Sequence, residues 1–249
     1  RRGSAPKSCQ IGYGRMNTSQ YLEALNALSD ESLVPKMQAY HKIDRPYLGV
    51  SNPQINDLTK AWRDELDLND RITLAEALWQ TDIFEARLAA AKLLTQARMR
   101  PDDSAAWQLL QSWVPDFDSW AIADHACIAI QKRLVADPTR LDAVELWTQS
   151  DHLWTRRAAL VATLPWAKQN HPKPDESEAR ERILGWASGY LPVKNGIMQK
   201  VIAWWVRDLS RHDPKRAAEF IAENDSLMKP YAIKEASRYL PDVEQNVAE

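Results

Sequence analysis

Phe84-Glu85-Ala86-Arg87-Leu88-Ala89-Ala90 is the stretch whose pattern decides the fold. A large apolar residue is followed three positions later by a base, and small or apolar residues come next. The pattern recurs in Trp154-Thr155-Arg156-Arg157-Ala158-Ala159, Ile197-Met198-Gln199-Lys200-Val201-Ile202-Ala203 and Tyr231-Ala232-Ile233-Lys234. Trp120 followed by Ala123 fills the same register without a base. This recurrence predicts a structural unit that is repeated along the chain.

The spacing of the repeats indicates the architecture. The register positions are 87, 123, 157, 200 and 234, so successive gaps are 36, 34, 43 and 34 residues. Periods of this size with two helices each are typical of solenoids of the HEAT or armadillo type. The longest gap contains residues 170–176 with two prolines, which we expect to form a loop. We therefore predict an all-α protein, an α-solenoid of about six antiparallel HEAT-like helix pairs.

The composition agrees with this architecture. The 249 residues include only 7 glycines, and alanine and leucine outnumber the β-branched residues, which favours helices over strands. Prolines mark the expected starts and ends of helices. The predicted helices cover residues 18–41 in two pieces, 52–66, 71–79, 83–98, 101–113, 117–136, 138–147, 152–164, 178–189, 195–211, 214–224 and 230–240.

The two ends of the chain lack this pattern. Residues 1–15 have no apolar periodicity, whereas an amphipathic segment follows Met16. We expect Met16 to be the native start and residues 1–15 to be an added or upstream segment, or a disordered basic arm. Residues 16–249 are then one repeat domain, whose last residues, from Asp242, form a frayed tail.

Charge and cysteine content exclude several classes of function. The net charge of −2 gives no global basic excess, and the two cysteines are too far apart for a metal or redox motif. We therefore expect no metal site and no disulfide framework, which fits a reducing, cytoplasmic location. No apolar run approaches the length of a membrane span.

The bases of the repeats are expected to align, because matching positions of stacked repeats lie along one surface. Arg87, Arg157, Lys200 and Lys234 would then form a basic ladder on a concave face, which suits a phosphate backbone. A structural role for these four bases is equally open. Their side chains would then form ion pairs between repeats and pack their aliphatic stems against the core.

Three clusters of indoles and charges could carry chemistry. They are Trp120 with Asp124, Trp154 with Arg156 and Arg157, and Trp204 with Arg207. Indoles bind cations and stack on sugars or bases, and guanidinium groups bind phosphate. A carboxylate can stabilise an oxocarbenium-like transition state, so the set suits cleavage of a nucleotide's glycosidic bond. Periodicity alone leaves an interaction scaffold open, because tryptophans at helical spacing usually belong to the core.

Several motifs resemble those of the AlkD-like DNA alkylation repair glycosylases, a family built from HEAT-like repeats. That family carries Ser-Trp-Trp-Asp-x-x-Asp, of which Trp120 and Asp124 are present here, whereas Ser119 and Ala121 replace the first Trp and the first Asp. Its other runs are Trp-Leu-x-Arg-Ala-Ala, Gln-Lys-Ala-Ile-Gly-Trp-x-Leu-Arg, Phe-Leu-Gly-Ile-x-x-Pro and, loosely, Arg-Arg-Glu-Ala. The matching segments are residues 154–159, 199–207, 47–53 and 233–236.

The resemblance implies roles for individual residues. Asp124 would be the catalytic carboxylate, and Trp120 and Trp204 would flank the damaged nucleotide. Arg157 and Arg207 would hold the DNA backbone, and the remaining bases of the predicted basic face, Arg156, Lys200, Arg87 and Lys234, would add to this binding.

The resemblance also implies an activity. The substrate would be double-stranded DNA containing cationic N3-methyladenine or N7-methylguanine, whose excision needs no cofactor and no acid to protonate the leaving base. We expect a monomer that does not bind membranes. Two rival hypotheses remain, namely a catalytically silent relative that binds damaged or branched DNA, and a protein-interaction scaffold.

Overall fold

Helices make up nearly all of the regular structure in the computed structural model, which describes residues 17–241. Its 14 α-helices are connected by short turns, and no strand occurs between these residues. The helices are α1 (Ser19–Asn26), α2 (Val34–His41), α3 (Asn52–Glu65), α4 (Leu68–Gln80), α5 (Phe84–Leu93), α6 (Ser104–Trp113), α7 (Trp120–Ala136), α8 (Leu141–Thr148), α9 (Leu153–Ala162), α10 (Leu164–Ala167), α11 (Pro174–Tyr190), α12 (Gly196–His212), α13 (Pro214–Asn224) and α14 (Pro230–Ala236). The all-α repeat fold is therefore confirmed. The expected arm 1–15 and the tail from Asp242 lie outside the described residues.

The repeat helices form one continuous row, which we call the inner layer. In it α3 contacts α5, α5 contacts α7, α7 contacts α9, α9 contacts α12, and α12 contacts α14. All five register positions, 87, 123, 157, 200 and 234, lie on helices of this row. The period read from the sequence thus corresponds to a real stack of neighbouring helices.

Small side chains allow the inner helices to approach closely. Alanines that are at most 2% exposed line the faces of α5, α7 and α9. Polar atoms also join adjacent helices: Gln131 of α7 donates from its side-chain amide to the carbonyl of Val161 in α9 at 2.8 Å. Gln199 of α12 is 1% exposed and donates in the same way to the carbonyl of Leu227, before α14. The outer helices α4, α6, α8 and α13 each pack on the following or preceding inner helix.

Local capping accounts for two differences between predicted and observed helix starts. The helix expected from Pro101 begins at Ser104, whose backbone N–H donates to the carboxylate of Asp102 at 2.8 Å. The helix expected from Glu178 begins earlier, at Pro174, with Glu176 accepting from the backbone N–H of Lys173 at 2.8 Å. Proline fits the first turn of a helix, where no N–H donor is needed, so the expected loop is shorter.

A tertiary contact ends α5 earlier than its sequence suggests. The helical pattern continues to Arg98, but the helix ends at Leu93. The guanidinium of Arg63 in α3 donates to the carbonyl of Lys92 at 2.9 Å and to the hydroxyl of Thr95 at 3.0 Å. This side chain from a neighbouring helix satisfies the terminal carbonyl that a further turn would otherwise bind.

A buried carboxylate fixes the turn before α3. Glu85 is fully buried, and its carboxylate accepts from the backbone N–H groups of Leu48 at 2.9 Å, Gly49 at 2.8 Å and Val50 at 3.3 Å. Gly49 has φ +78°, and a Cβ there would lie 1.9 Å from the carbonyl oxygen of Asp30. The turn therefore needs both the glycine and the acid.

Replacing Glu85 by alanine should destabilise the fold strongly, because it leaves buried N–H groups without an acceptor. We expect the free energy of unfolding to fall by about 3 kcal/mol or more in chemical denaturation. The matched control is Glu76→Ala, at an exposed position of α4, which should cost about 0.5 kcal/mol or less. Equal effects of the two substitutions would contradict this role for the Glu85 carboxylate.

Candidate catalytic and nucleic-acid-binding site

Trp120 and Asp124 lie at the start of α7 and share one face of it. The helix was expected from Phe117, but Ser119 has extended backbone and Trp120 is the first helical residue. The indole of Trp120 is therefore held at the end of the helix and is 38% exposed. One turn later, the side chain of Asp124 keeps 22% exposure. Both groups remain accessible although the helix around them is largely buried.

Arg157 of α9 forms a two-point ion pair with Asp124. Its Nη2 donates to one carboxylate oxygen at 3.2 Å, and its Nη1 donates to the other. The Arg157 side chain is only 9% exposed. Paired guanidinium and carboxylate groups of this kind are strong and directional. The pair joins two neighbouring repeats and places the charge of Arg157 beside the candidate catalytic acid.

The second predicted cluster, Trp154 with Arg156 and Arg157, is only partly brought together in the structure. The guanidinium carbon of Arg157 lies 5.7 Å from the centroid of the Trp154 ring, within the range of a cation–π contact. Arg156 is half-buried, and its Nε is buried without a hydrogen-bond partner among the described residues. Of the three residues, Arg157 alone contacts the carboxylate of Asp124.

The third cluster lies on α12, next to α9 in the inner layer. Trp204 is half-buried, whereas its neighbour Trp205 is fully buried in the core. Arg207 donates to the carboxylate of Glu235 at 2.6 Å and to that of Asp208 at 3.1 Å. Burial lowers the pKa of Arg207, but the hydrogen bonds to Glu235 and Asp208 and the negative charges of these two residues together raise it above its ordinary value. The indole and the guanidinium are both partly accessible.

The expected basic ladder is interrupted by intramolecular contacts. Lys200 and Lys234 are exposed. Arg87 is only 9% exposed, forms an ion pair with Asp82 at 2.9 Å, and stacks over the Trp79 ring at 4.6 Å. The Arg87 guanidinium therefore has partners inside the fold, as the structural interpretation of the repeat bases describes, and its contact with DNA stays a prediction.

Aromatic side chains of α2 and α5 surround Trp120, and sequence reasoning missed them. The ring of Tyr40 meets the indole edge-on at a centroid distance of 5.5 Å, and the imidazole of His41 lies 5.7 Å away. His41 also stacks on Phe84 at 4.4 Å. Tyr40 and His41 lie far from Trp120 in sequence, and no motif included them, whereas Phe84 belonged to the repeat pattern but received no role near Trp120. His125, beside Asp124, was visible in the focal stretch but received no role.

Burial disfavours the protonated form of both imidazoles near Trp120, those of His41 and His125. It lowers the pKa of His125, and a hydrogen bond between its Nδ1 and the carbonyl of Ala121, at 2.8 Å, opposes this effect only partly. Burial also lowers the pKa of His41. Both rings are therefore neutral at pH 7, since their ordinary pKa already lies below it.

Residues 17–241 contain neither a metal-binding cluster nor a membrane-spanning helix. No group of three or more His, Cys, Asp or Glu side chains in this part of the chain could hold a metal ion. None of the helices between these residues combines the length and hydrophobicity that crossing a bilayer requires.

A sequence comparison decides the family. The profile of the family described as DNA alkylation repair enzyme matches residues 21–240. The chain belongs to this family. The match covers nearly all of the described helices. Among curated proteins, none matches the chain.

Solved structures share the fold. A protein from Enterococcus faecalis described as a predicted DNA alkylation repair enzyme is 21% identical, with a TM-score of 0.70 over 86% of this chain and 97% of that one. AlkD2 from Streptococcus mutans is 18% identical, with a TM-score of 0.61 over 90% and 99%. The protein smu.31 from Streptococcus mutans UA159 is 16% identical, with a TM-score of 0.60 over 90% and 100%. At these identities the likeness shows the fold alone.

The ion pair of Asp124 and Arg157 should make a measurable contribution to stability. In a double-mutant cycle with Asp124→Asn and Arg157→Ala, we expect a coupling free energy of about 2 kcal/mol, because the pair is partly buried and hydrogen-bonded. The control cycle uses Asp142→Asn and Arg182→Ala. The Asp142 side chain is 80% exposed, so that pair should give about 1 kcal/mol or less. Equal coupling free energies in the two cycles would show that the pair of Asp124 and Arg157 is no stronger than an exposed ion pair.

Proposed function

We propose that the protein is a DNA glycosylase that hydrolyses the N-glycosidic bond of cationic alkylated purines, N3-methyladenine and N7-methylguanine, in double-stranded DNA. It acts as a cytoplasmic monomer without a cofactor and leaves an abasic site. The observation that carries the proposal is the partly exposed carboxylate of Asp124 beside the exposed indole of Trp120. Membership of a DNA alkylation repair family supports the choice of substrate.

Asp124 would stabilise the sugar cation as the glycosidic bond breaks. A methylated purine that carries a positive charge is already a good leaving group, so the reaction needs no acid. The carboxylate would face the charge that develops on the sugar, and a fixed negative charge is most effective in a partly desolvated site. The indole of Trp120, one turn earlier on the same face, would contact the sugar, and Trp204 of α12 would contact it from the far side of α9.

Arg157 would bind the phosphate next to the lesion. Its guanidinium has five N–H donors, and the ion pair with Asp124 uses only part of them. A phosphate at the free donors would draw positive charge away from Asp124 and increase its effect on the sugar cation. Arg207 and Arg156 would contact the flanking backbone, together with the exposed Lys200 and Lys234.

The ion pair also favours the second candidate, a catalytically silent DNA-binding protein. A carboxylate that is neutralised by Arg157 stabilises a sugar cation less well, unless DNA redirects the guanidinium. Binding and excision must therefore be measured separately.

Asp124→Asn should lower the rate of base release by about 100-fold or more while binding to DNA is retained. Release of methylpurine from methylated duplex DNA measures excision, and titration of a duplex with a stable lesion analogue measures binding. Asp64→Asn, at an exposed position of α3, is the control and should behave like wild type. Unchanged excision in Asp124→Asn would remove this carboxylate from the mechanism.

The same assays separate the rivals. If wild-type protein binds DNA but releases no methylpurine, the silent DNA-binding protein is the correct assignment. If wild-type protein has no affinity for DNA at low salt, the interaction scaffold is the correct assignment.

Lys200→Ala and Lys234→Ala should each weaken DNA binding and reduce the slope of log K against log salt by about 1, because each exposed lysine releases one counterion. The control is Lys215→Ala, an exposed lysine of the outer helix α13, which should leave the slope unchanged. Equal slopes for all three variants would place the DNA on another surface.

A further inference from the structure

A pocket of about 340 Å³ lies between α3, α5 and α7, and three bases line it. They are Lys60 and Arg63 of α3 and Lys92 of α5. We call it the basic pocket. Its volume lies within the range of ordinary ligand sites. Among residues 17–241, Asp57 is the only acid on its wall, so the three bases give the pocket a net positive charge.

The basic pocket opens on the face of α7 that carries the candidate catalytic residues. Its wall includes His125, which directly follows Asp124, and Ile128, which is 43% exposed. Residues four apart share one face of a helix, so Trp120, Asp124 and Ile128 form a stripe. Four residues correspond to about 6 Å along the helix axis. A molecule as long as duplex DNA that contacts Asp124 can therefore reach the basic pocket as well.

The cationic groups of the basic pocket have no acidic partner among the described residues. Ion pairs between residues 17 and 241 involve none of the three. Burial lowers the pKa of Lys92, and the nearby charge of Arg63 lowers it further. An anion between the two groups would stabilise both charges. It would thus remove a repulsion that the protein has without a ligand.

Hydrogen bonds hold Arg63 in the wall of the basic pocket. Its Nη1 donates to the carbonyl of Lys92 at 2.9 Å and to the hydroxyl of Thr95 at 3.0 Å. Thr95 in turn donates to the same carbonyl at 2.9 Å. These bonds use two of the five N–H donors of the guanidinium, so three remain for a ligand. A guanidinium that is already oriented loses little freedom when it binds phosphate oxygens.

Lys92 gives α5 a base that the repeat register does not contain. The register base of this helix is Arg87, whose guanidinium pairs with Asp82. Lys92 lies five residues later, is half-buried, and was part of no motif. Helix α7 lies between α5 and α9 in the inner layer, so Lys92 and Arg157 lie on opposite sides of α7.

We propose that the basic pocket binds a phosphate group of the DNA backbone close to the lesion, with Lys60, Arg63 and Lys92 as its ligands. This inference rests on the DNA binding in the proposed function and deepens it. The backbone would be held on both sides of α7, by Arg157 on one side and by the basic pocket on the other. Fixed phosphates on both sides would hold the sugar between them against Asp124.

The first test measures affinity for a duplex with a stable lesion analogue by fluorescence anisotropy. Lys92→Gln removes the charge but keeps most of the side chain, and we expect it to weaken binding by about tenfold, which is about 1.4 kcal/mol. The slope of log K against log salt should fall by about 1. Asp57→Asn should strengthen binding, because it removes a negative charge from the wall. Lys215→Gln, at an exposed position of the outer helix α13, is the matched control and should behave like wild type.

All variants are first checked by thermal unfolding. Lys60→Gln, at an exposed position of α3, replaces Lys92→Gln if the latter does not fold. An affinity and a slope equal to those of Lys215→Gln would overturn the proposal. So would weaker binding of inorganic phosphate with unchanged binding of DNA.

The second test locates the phosphate. Each phosphate near the lesion analogue is replaced in turn by an uncharged methylphosphonate, and the affinities of wild type and Lys92→Gln are compared. At one position the replacement should weaken binding to wild type by about tenfold and have little further effect on the variant, because both changes remove the same contact. Equal losses of affinity in the two proteins at every position would overturn the proposal.

The outcome of these tests is separable from that of the glycosylase proposal. A phosphate position that depends on Lys92, in a protein that releases no methylpurine, would support the basic pocket and refute the glycosylase. Normal excision without any such position would support the glycosylase and refute the basic pocket.

Discussion

Close stacking of the inner helices over small side chains is the constraint on which the rest of this structure depends. The buried alanines of α5, α7 and α9 let these helices approach closely enough for side chains of one repeat to reach the next. The ion pair of Asp124 and Arg157 spans 33 residues of sequence and exists only because α7 and α9 lie side by side. Larger residues at the alanine positions would move Asp124 and Arg157 apart and would thereby disrupt the proposed site.

Residues at the same register position of different repeats have different roles in this stack. Arg87 faces an aspartate and an indole of its own repeat and is buried there, whereas Lys200 and Lys234 reach solvent. Arg157 contacts the carboxylate of Asp124 in the preceding repeat. In that repeat the register position is Ala123, which carries no base, and Asp124 is the next residue. A basic residue at a repeat position therefore connects helices, is a candidate phosphate contact or, in the case of Arg157, is proposed to do both.

The aromatic surroundings of Trp120 lie where α2 meets the regular stack. Helix α2 does not continue the inner layer but lies across the starts of α5 and α7, with none of its residues buried. It adds Tyr40 and His41 to one side of Trp120, while Asp124 and Arg157 lie on the side of α9. The indole of Trp120 thus lies between a cluster of aromatic rings and a charged pair.

The sequence by itself determined the helical class, the repeat period and the pairing of Trp120 with Asp124 on one helical face, because these depend on local spacing and on prolines. The resemblance carried by its motifs indicated the family, which the match over residues 21–240 confirms. Only the tertiary structure decided that Arg87 is buried, that Arg157 pairs with Asp124, and that α5 ends at Leu93. It alone revealed the rings around Trp120. The contacts of Asp124, of the end of α5 and of Trp120 join residues 29 to 80 positions apart, and a periodic pattern does not specify which of them meet.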